Sequence, residues 1–216
     1  LQYMCASYLK SIGASIDDVT IVSMDVTSGM TAFNAGEGDA VCAWNAVAYG
    51  ADDAGLVRVT DMGKMGLNNV CGLCATQDAL QNKADLVKLA WMVYYMTWDW
   101  CQKSDDNMAK AVELYVQSCE DEGVAANESI CKRALENFNC PSVKDAFALM
   151  TTKEADRSGS GEVLQATNDL FETLDFFIDL GSYSAEDRQT ILDKSLVDSG
   201  IADSCKDTLT ELGYIS

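Results

Sequence analysis

The sequence predicts an α/β fold with parallel-type sheets flanked by many helices, and three observations carry that reading. Short apolar or β-branched runs, Val19-Thr20-Ile21-Val22-Ser23-Met24 and Ala40-Val41-Cys42-Ala43, have the length and composition of strands. Around them the apolar spacing is helical, as at Leu1, Met4, Cys5, Tyr8, Leu9 and Ile12, and helix, strand, helix, strand in that order makes an α/β unit. A single proline in 216 residues leaves little to interrupt long helices.

Each element follows from its own residues. The first helix stops at Gly13. After the Val19–Met24 strand, the loop Asp25 to Gly29 supplies Thr27 or Ser28 as the cap of a short helix that carries Met30 and Phe33 and ends at Gly36. The Ala40–Ala43 strand follows. Gly55 to Asp61 and Asn69 to Thr76 read as two more strands through Leu56-Val57-Arg58-Val59 and Val70–Ala75. From Asp78 the period changes. Leu86, Leu89, Ala90, Val93, Met96, Thr97 and Trp100 mark a long amphipathic helix ending near Cys101. Ser104 caps the next, with Asp105 and Asp106 in its first turn and Met108, Val112, Tyr115, Val116 and Cys119 on its apolar side. A further helix spans Asn127–Phe138, begun by Asn127 or Ser129. Pro141 breaks the chain, Ser142–Gly161 is its least regular part, and Arg157-Ser158-Gly159-Ser160-Gly161 reads as a mobile connection. Glu162–Leu180 is helical with Gly181 as its stop, Ser184 and Asp187 form a capping box ahead of Ala185–Leu196, and Asp203–Leu212 is the last helix.

Charge and composition exclude whole classes of function. The net charge of −19, from 34 acidic against 15 basic residues, is spread along the chain and repels nucleic acid and anionic lipid. No histidine occurs, which removes the usual general base, the Ser-His and Cys-His nucleophile systems and the commonest metal ligand. The longest uncharged apolar stretch, Leu89–Trp98, is too short to span a bilayer, and no signal peptide is visible. Nine cysteines, at 5, 42, 71, 74, 101, 119, 131, 140 and 205, cannot all pair within one chain. Cys42 and Cys101 lie in apolar runs and read as small buried hydrophobes. Cys71 and Cys74 form a C-x-x-C with no second pair, so structural thiols are the first reading, one disulfide the second, and metal or redox work the third. No cofactor and no metal are expected.

The stretch Asp39–Tyr49 holds the candidate site. At the end of the Ala40–Ala43 run stand Trp44 and Asn45, where one group stacks on a ligand and the other hydrogen-bonds it. The alternative is a core tryptophan followed by a turn.

A family resemblance widens this reading. Tyr8-Leu9-Lys10-Ser11-Ile12-Gly13, Asp17-Asp18-Val19-Thr20-Ile21-Val22, the run Ala32-Phe33-Asn34-Ala35-Gly36-Glu37-Gly38-Asp39-Ala40-Val41 and Trp44-Asn45 resemble the substrate-binding proteins of nitrate, sulfonate and taurine transporters. Lys83-Ala84-Asp85-Leu86-Val87 through Trp98-Asp99-Trp100 is similar to a helix of that family. Asn45 and Ala46 stand where the family usually has an acidic residue and proline.

The resemblance implies a type 2 periplasmic binding fold, incomplete at its N-terminus because the family's earlier first-lobe segment is missing. Residues 1–48 would be part of the second lobe, 49–157 the C-terminal part of the first, and 158–216 helices returning onto both. It implies a non-catalytic solute-binding component of an ABC importer, extracytoplasmic, either periplasmic or anchored as a lipoprotein. Such a protein works with the transporter's membrane subunits. Its ligand is a small anionic or heterocyclic molecule such as a sulfonate, nitrate, taurine or a pyrimidine, held in a cleft between lobes. The ligand residues would be Trp44, Asn45, Asp25, Thr27 and Ser28, with hinges near Asn45–Tyr49 and Arg157–Gly161. A truncated chain would associate with itself. Two other readings stand beside this one: an enzyme on the same fold using Asp25 and Asp39, and a helical interaction protein that docks through Trp91–Trp100.

Overall fold

In a computed structural model that describes residues 1–67 and 70–216, the chain is 59% helix and 3% strand. This corrects the expected α/β architecture of the type 2 periplasmic-binding kind. Among the described residues the sheet has two strands, β1 (Lys153–Ala155) and β2 (Glu162–Leu164), and they run antiparallel. The segments Val19–Met24, Ala40–Ala43 and Leu56–Val59, expected as strands, are irregular chain. Of the strand expected over Asn69–Thr76, Asn69 lies outside the described residues, and 70–75 is irregular too. The physical reason is pairing. A β-branched run becomes a strand only when a second run satisfies its N–H and C=O groups, and among the described residues these runs meet none. Val57, at the centre of one of them, is 86% exposed.

The helices divide between two compact units. The first comprises Leu1–Leu67 and Cys101–Asn139. It contains α1 (Gln2–Ser11), a 3-10 turn (Ile16–Asp18), α2 (Val26–Asn34), α3 (Asn45–Asp53), α6 (Asp105–Asp121) and α7 (Glu128–Glu136). Its core is made by Ala46 of α3, Val112 and Cys119 of α6, and Ile130 and Cys131 of α7, with Tyr49, Tyr115 and Leu135 packed against them. As the serine and asparagine positions suggest, Ser104 accepts a hydrogen bond from Asn107 N and caps α6, while Asn127 accepts from Ile130 N and caps α7.

The second unit comprises residues 70–100 and Cys140–Ser216. It holds α4 (Gln77–Asn82), α5 (Ala84–Gln102, whose last two residues belong to the first unit), α8 (Val143–Thr151), the β1–β2 hairpin, α9 (Gln165–Asp179), α10 (Ala185–Asp193) and α11 (Gly200–Glu211). Trp91, Met92 and Tyr95 of α5 pack with Val143 and Ala146 of α8 and with Ala202, Cys205 and Leu209 of α11. The capping box of α10 forms as its sequence implies: Ser184 and Asp187 each accept the other's backbone N–H. No helix among the described residues is long and apolar enough to cross a membrane.

The stretch Arg157–Gly161, expected as a mobile connection and hinge, is the tip of the β1–β2 hairpin. Asn168 of α9 holds it. Its buried amide donates to Glu154 Oε1 at 2.7 Å and to Ala155 O at 2.9 Å, and accepts from Arg157 N at 3.1 Å. The Asp156 carboxylate turns into the same tip, where a Cβ on residue 159 would collide with it, so only glycine fits there. The hairpin also takes the first turn expected for the following helix, which begins at Gln165 and not at Glu162.

Candidate functional site

The five expected ligand residues, Trp44, Asn45, Asp25, Thr27 and Ser28, all fall in the first unit, on or beside α2 and α3. Asp25, and neither Thr27 nor Ser28, caps α2: its Oδ1 accepts from Ser28 N at 2.9 Å. Hydrogen bonding from Ser28, side chain and then backbone, holds the Asp25 carboxyl below its ordinary range against a smaller opposing effect of burial. That carboxylate therefore serves its own helix. Thr27 and Ser28 are exposed in the first turn of α2, and Thr27 O accepts from Thr31 Oγ1 at 2.9 Å.

Trp44 and Asn45 begin α3, where the sequence suggested a loop and a hinge. Trp44 is the N-cap residue, extended at φ −140° and ψ 168°, and is 45% exposed, so it is not a core tryptophan. Asn45 adopts φ +51°, a left-handed conformation that asparagine tolerates better than most residues. The Trp44 side chain makes no cap hydrogen bond, and of the first amides of α3 that of Ala46 donates to the Tyr115 hydroxyl. An exposed indole thus stands at the positive end of a helix whose N-cap side chain leaves it unsealed, an arrangement suited to a planar or anionic group.

Between α2 and α3 lies a cavity of about 250 Å³. Thr27, Thr31 and Asn34 of α2 bring hydroxyl and amide groups to it, Gly50 and Ala51 of α3 form the opposite side, and Val124 and Ala125, between α6 and α7, close it. It lies just below the usual size range of ligand pockets, roughly 300–1,000 Å³, and suits a molecule of few heavy atoms. Of the five expected ligand residues Thr27 lines it, while Trp44, Asn45, Asp25 and Ser28 are not part of its lining.

No family model, curated protein or solved structure matches the chain. The site therefore rests on its own geometry.

One cluster in this unit was not singled out in the sequence. The ring of Tyr49 of α3 is contacted by two guanidinium groups, Arg58 at 4.9 Å and Arg133 at 5.6 Å from its centroid. Each arginine is neutralised from α3 itself: Arg58 pairs with Asp52 at 2.6 Å, and Arg133 with Asp53 at 2.7 Å. The stack fastens α3 to α7 and to the segment after α3, which steadies the cavity's α3 wall. The adjacent pair Asp52-Asp53 in a helix containing no basic residue was the available signal.

Cys71 and Cys74 are both exposed in irregular chain within the second unit. Excess chelator is expected to leave the melting temperature unchanged; a fall of several degrees would assign those thiols to a structural metal.

Proposed function

We propose that the chain is a non-catalytic solute-binding protein, the extracytoplasmic component of an ABC importer, and that it takes a small anionic or heterocyclic molecule. The observation that carries the reading is the exposed Trp44 at the N-terminus of α3. The indole supplies a stacking face, and the N-terminus of α3 supplies partial positive charge. Such local positive potential matters in a chain of net charge −19, because the rest of the molecule repels an anion. The α2/α3 cavity, lined by Thr27 and Thr31 and not by Trp44, offers a second concave surface on the same two helices. The capping work of Asp25 leaves it no ligand role in this proposal.

The test is a thermal-shift and tryptophan-fluorescence screen against nitrate, small sulfonates including taurine, amino acids and pyrimidines. A responding ligand is expected to bind at least tenfold more weakly to Trp44→Ala, whose folding stability changes by about 1 kcal/mol or less, as is usual for an exposed side chain. Unchanged affinity in that variant would remove Trp44 from the site. A second reading, a helical interaction protein, has its own support in Leu86, Leu89 and Val93, which are exposed at helical spacing on α5. Concentration-dependent mass in light scattering, with no ligand response, would favour it.

A further inference from the structure

The first unit contains five cysteines, and four of them stand in pairs. Cys5 hydrogen-bonds the thiol of Cys42. Cys119, two residues before the end of α6, and Cys131, in the first turns of α7, place their Sγ atoms 4.0 Å apart. Both belong to the core, with Ala46, Val112 and Ile130 around them. They face each other across a helical hairpin whose connection, from Glu122 to Asn127, is short. A disulfide needs the sulfurs to close to about 2.05 Å, which takes roughly 1 Å of movement from each side chain.

We propose that Cys119 and Cys131 form an oxidation site, and that a small-molecule disulfide such as oxidised glutathione converts them to a disulfide joining α6 to α7. In the first step one thiol loses its proton, and the thiolate attacks a sulfur of the oxidant. A mixed disulfide forms and one glutathione thiolate leaves. In the second step the other cysteine, deprotonated in turn, attacks the protein sulfur of the mixed disulfide and releases the second glutathione thiolate. Two electrons pass from the protein to the oxidant, the two protons go to the departing thiolates, and the products are one protein disulfide and two reduced glutathione molecules. Burial, then the neighbouring thiol, pushes Cys131 up to about 11. The exchange is consequently slow at neutral pH and requires α7 to open locally.

The cross-link has a consequence for the cavity. The ring closed by Cys119 and Cys131 contains Val124 and Ala125, the residues that close the space between α2 and α3. Ile130, inside the same ring, packs toward Gly50 on the opposite wall, with its Cδ1 3.8 Å from where a Cβ at residue 50 would lie. Oxidation would hold this wall in place. The chemistry of the cross-link is independent of the proposed solute-binding role; its effect on a ligand rests on that role.

The experiment is peptide mapping under non-reducing conditions after the reduced full chain has been equilibrated in an oxidised glutathione buffer and alkylated in denaturant. The expected result is a linked pair of peptides containing Cys119 and Cys131, lighter by about 2 Da than the two thiol peptides, two hydrogens having been lost. The oxidised chain is also expected to melt about 5 °C higher or more, and Cys131→Ser to lose both effects. Recovery of Cys119 and Cys131 as alkylated thiols, or of either one linked to another cysteine, would overturn the proposal. The peptide map of the unmutated chain decides this even if Cys131→Ser folds poorly. Running the ligand screen on both redox forms keeps the readings apart, because a mapped Cys119–Cys131 bond in a chain without ligand response upholds the cross-link and removes the solute-binding role.

Discussion

Replacing Arg188 with alanine is expected to destabilise the second unit by about 3–5 kcal/mol, the range found when one partner of a buried ion pair is removed. Arg188, on α10, donates from Nη2 to Asp156 Oδ1 at 2.5 Å and to Ser158 Oγ at 3.1 Å. The Asp156 side chain is 1% exposed and that of Arg188 15%, so solvent does little to screen the pair. The guanidinium also lies 4.0 Å from the centroid of the Phe171 ring, and Asp175 of α9 is 3.7 Å from its Nε. That Nε is buried and has no hydrogen-bond partner among the described residues, a cost the site already bears. Without Arg188 the Asp156 carboxylate would keep only backbone donors, Ser158 N at 3.1 Å and the amide of Gly159.

The pH dependence of this pair has a definite sign. Burial alone would raise the Asp156 pKa. The Arg188 hydrogen bond, the Ser158 and Gly159 amides and the Arg188 charge together outweigh burial and hold it below the ordinary carboxylate value. A group whose folded pKa is depressed stabilises the protein above its unfolded pKa, near 3.9, and loses that contribution as pH falls through the lower folded value. In Arg188→Ala burial is no longer offset by the guanidinium and the folded pKa of Asp156 rises, so the stability deficit relative to the parent should be largest near pH 7 and shrink as pH falls and Asp156 takes up a proton. Urea unfolding from pH 7 to pH 3 checks both points. The double variant Asp156→Asn with Arg188→Met should lie closer to the parent than either single change, because it removes the buried charge together with its partner. Equal losses that simply add would show that the two residues do not act as a pair.

Phe171→Ala is expected to cost about 3–5 kcal/mol as well, by cavity formation. The ring is 1% exposed on α9, where it is covered on one face by the Arg188 guanidinium, and α9 packs against α8 and the hairpin. Phe171→Leu should cost roughly 1.5 kcal/mol or less, as most of the volume is retained. Because Phe171 and Arg188 touch, combining their alanine variants should give less than the sum, with a coupling of about 0.5–3 kcal/mol. Thermal melts following the second unit would register Phe171→Ala as a fall of roughly 10 °C or more. A fall of only a degree or two would mean that α9 is not anchored through this ring.

The amino-acid sequence by itself determined the helical skeleton and most of its ends. The cap at Ser104 and the box of Ser184 with Asp187 were legible, and the cap of α7 was narrowed to Asn127 or Ser129, because each is settled within four residues of chain. The long helices α5, α6 and α9 were legible because a repeat near 3.6 residues is a local signal. The strands were not. Val19–Met24, Ala40–Ala43 and Leu56–Val59 have strand-like composition, but pairing requires a distant partner that the fold does not bring to them. At the candidate site Trp44 and Thr27 could be found from residue type and position. That Asp25 caps α2, that Asn45 opens a helix, and that Val124 and Ala125 close the cavity depended on three-dimensional packing. Tertiary structure alone decided that Arg188 enters the hairpin tip 32 residues from Asp156 and that Cys119 meets Cys131. Those contacts join residues whose separation along the chain carries no periodic or capping signal, so only the packing of helices against one another selects them.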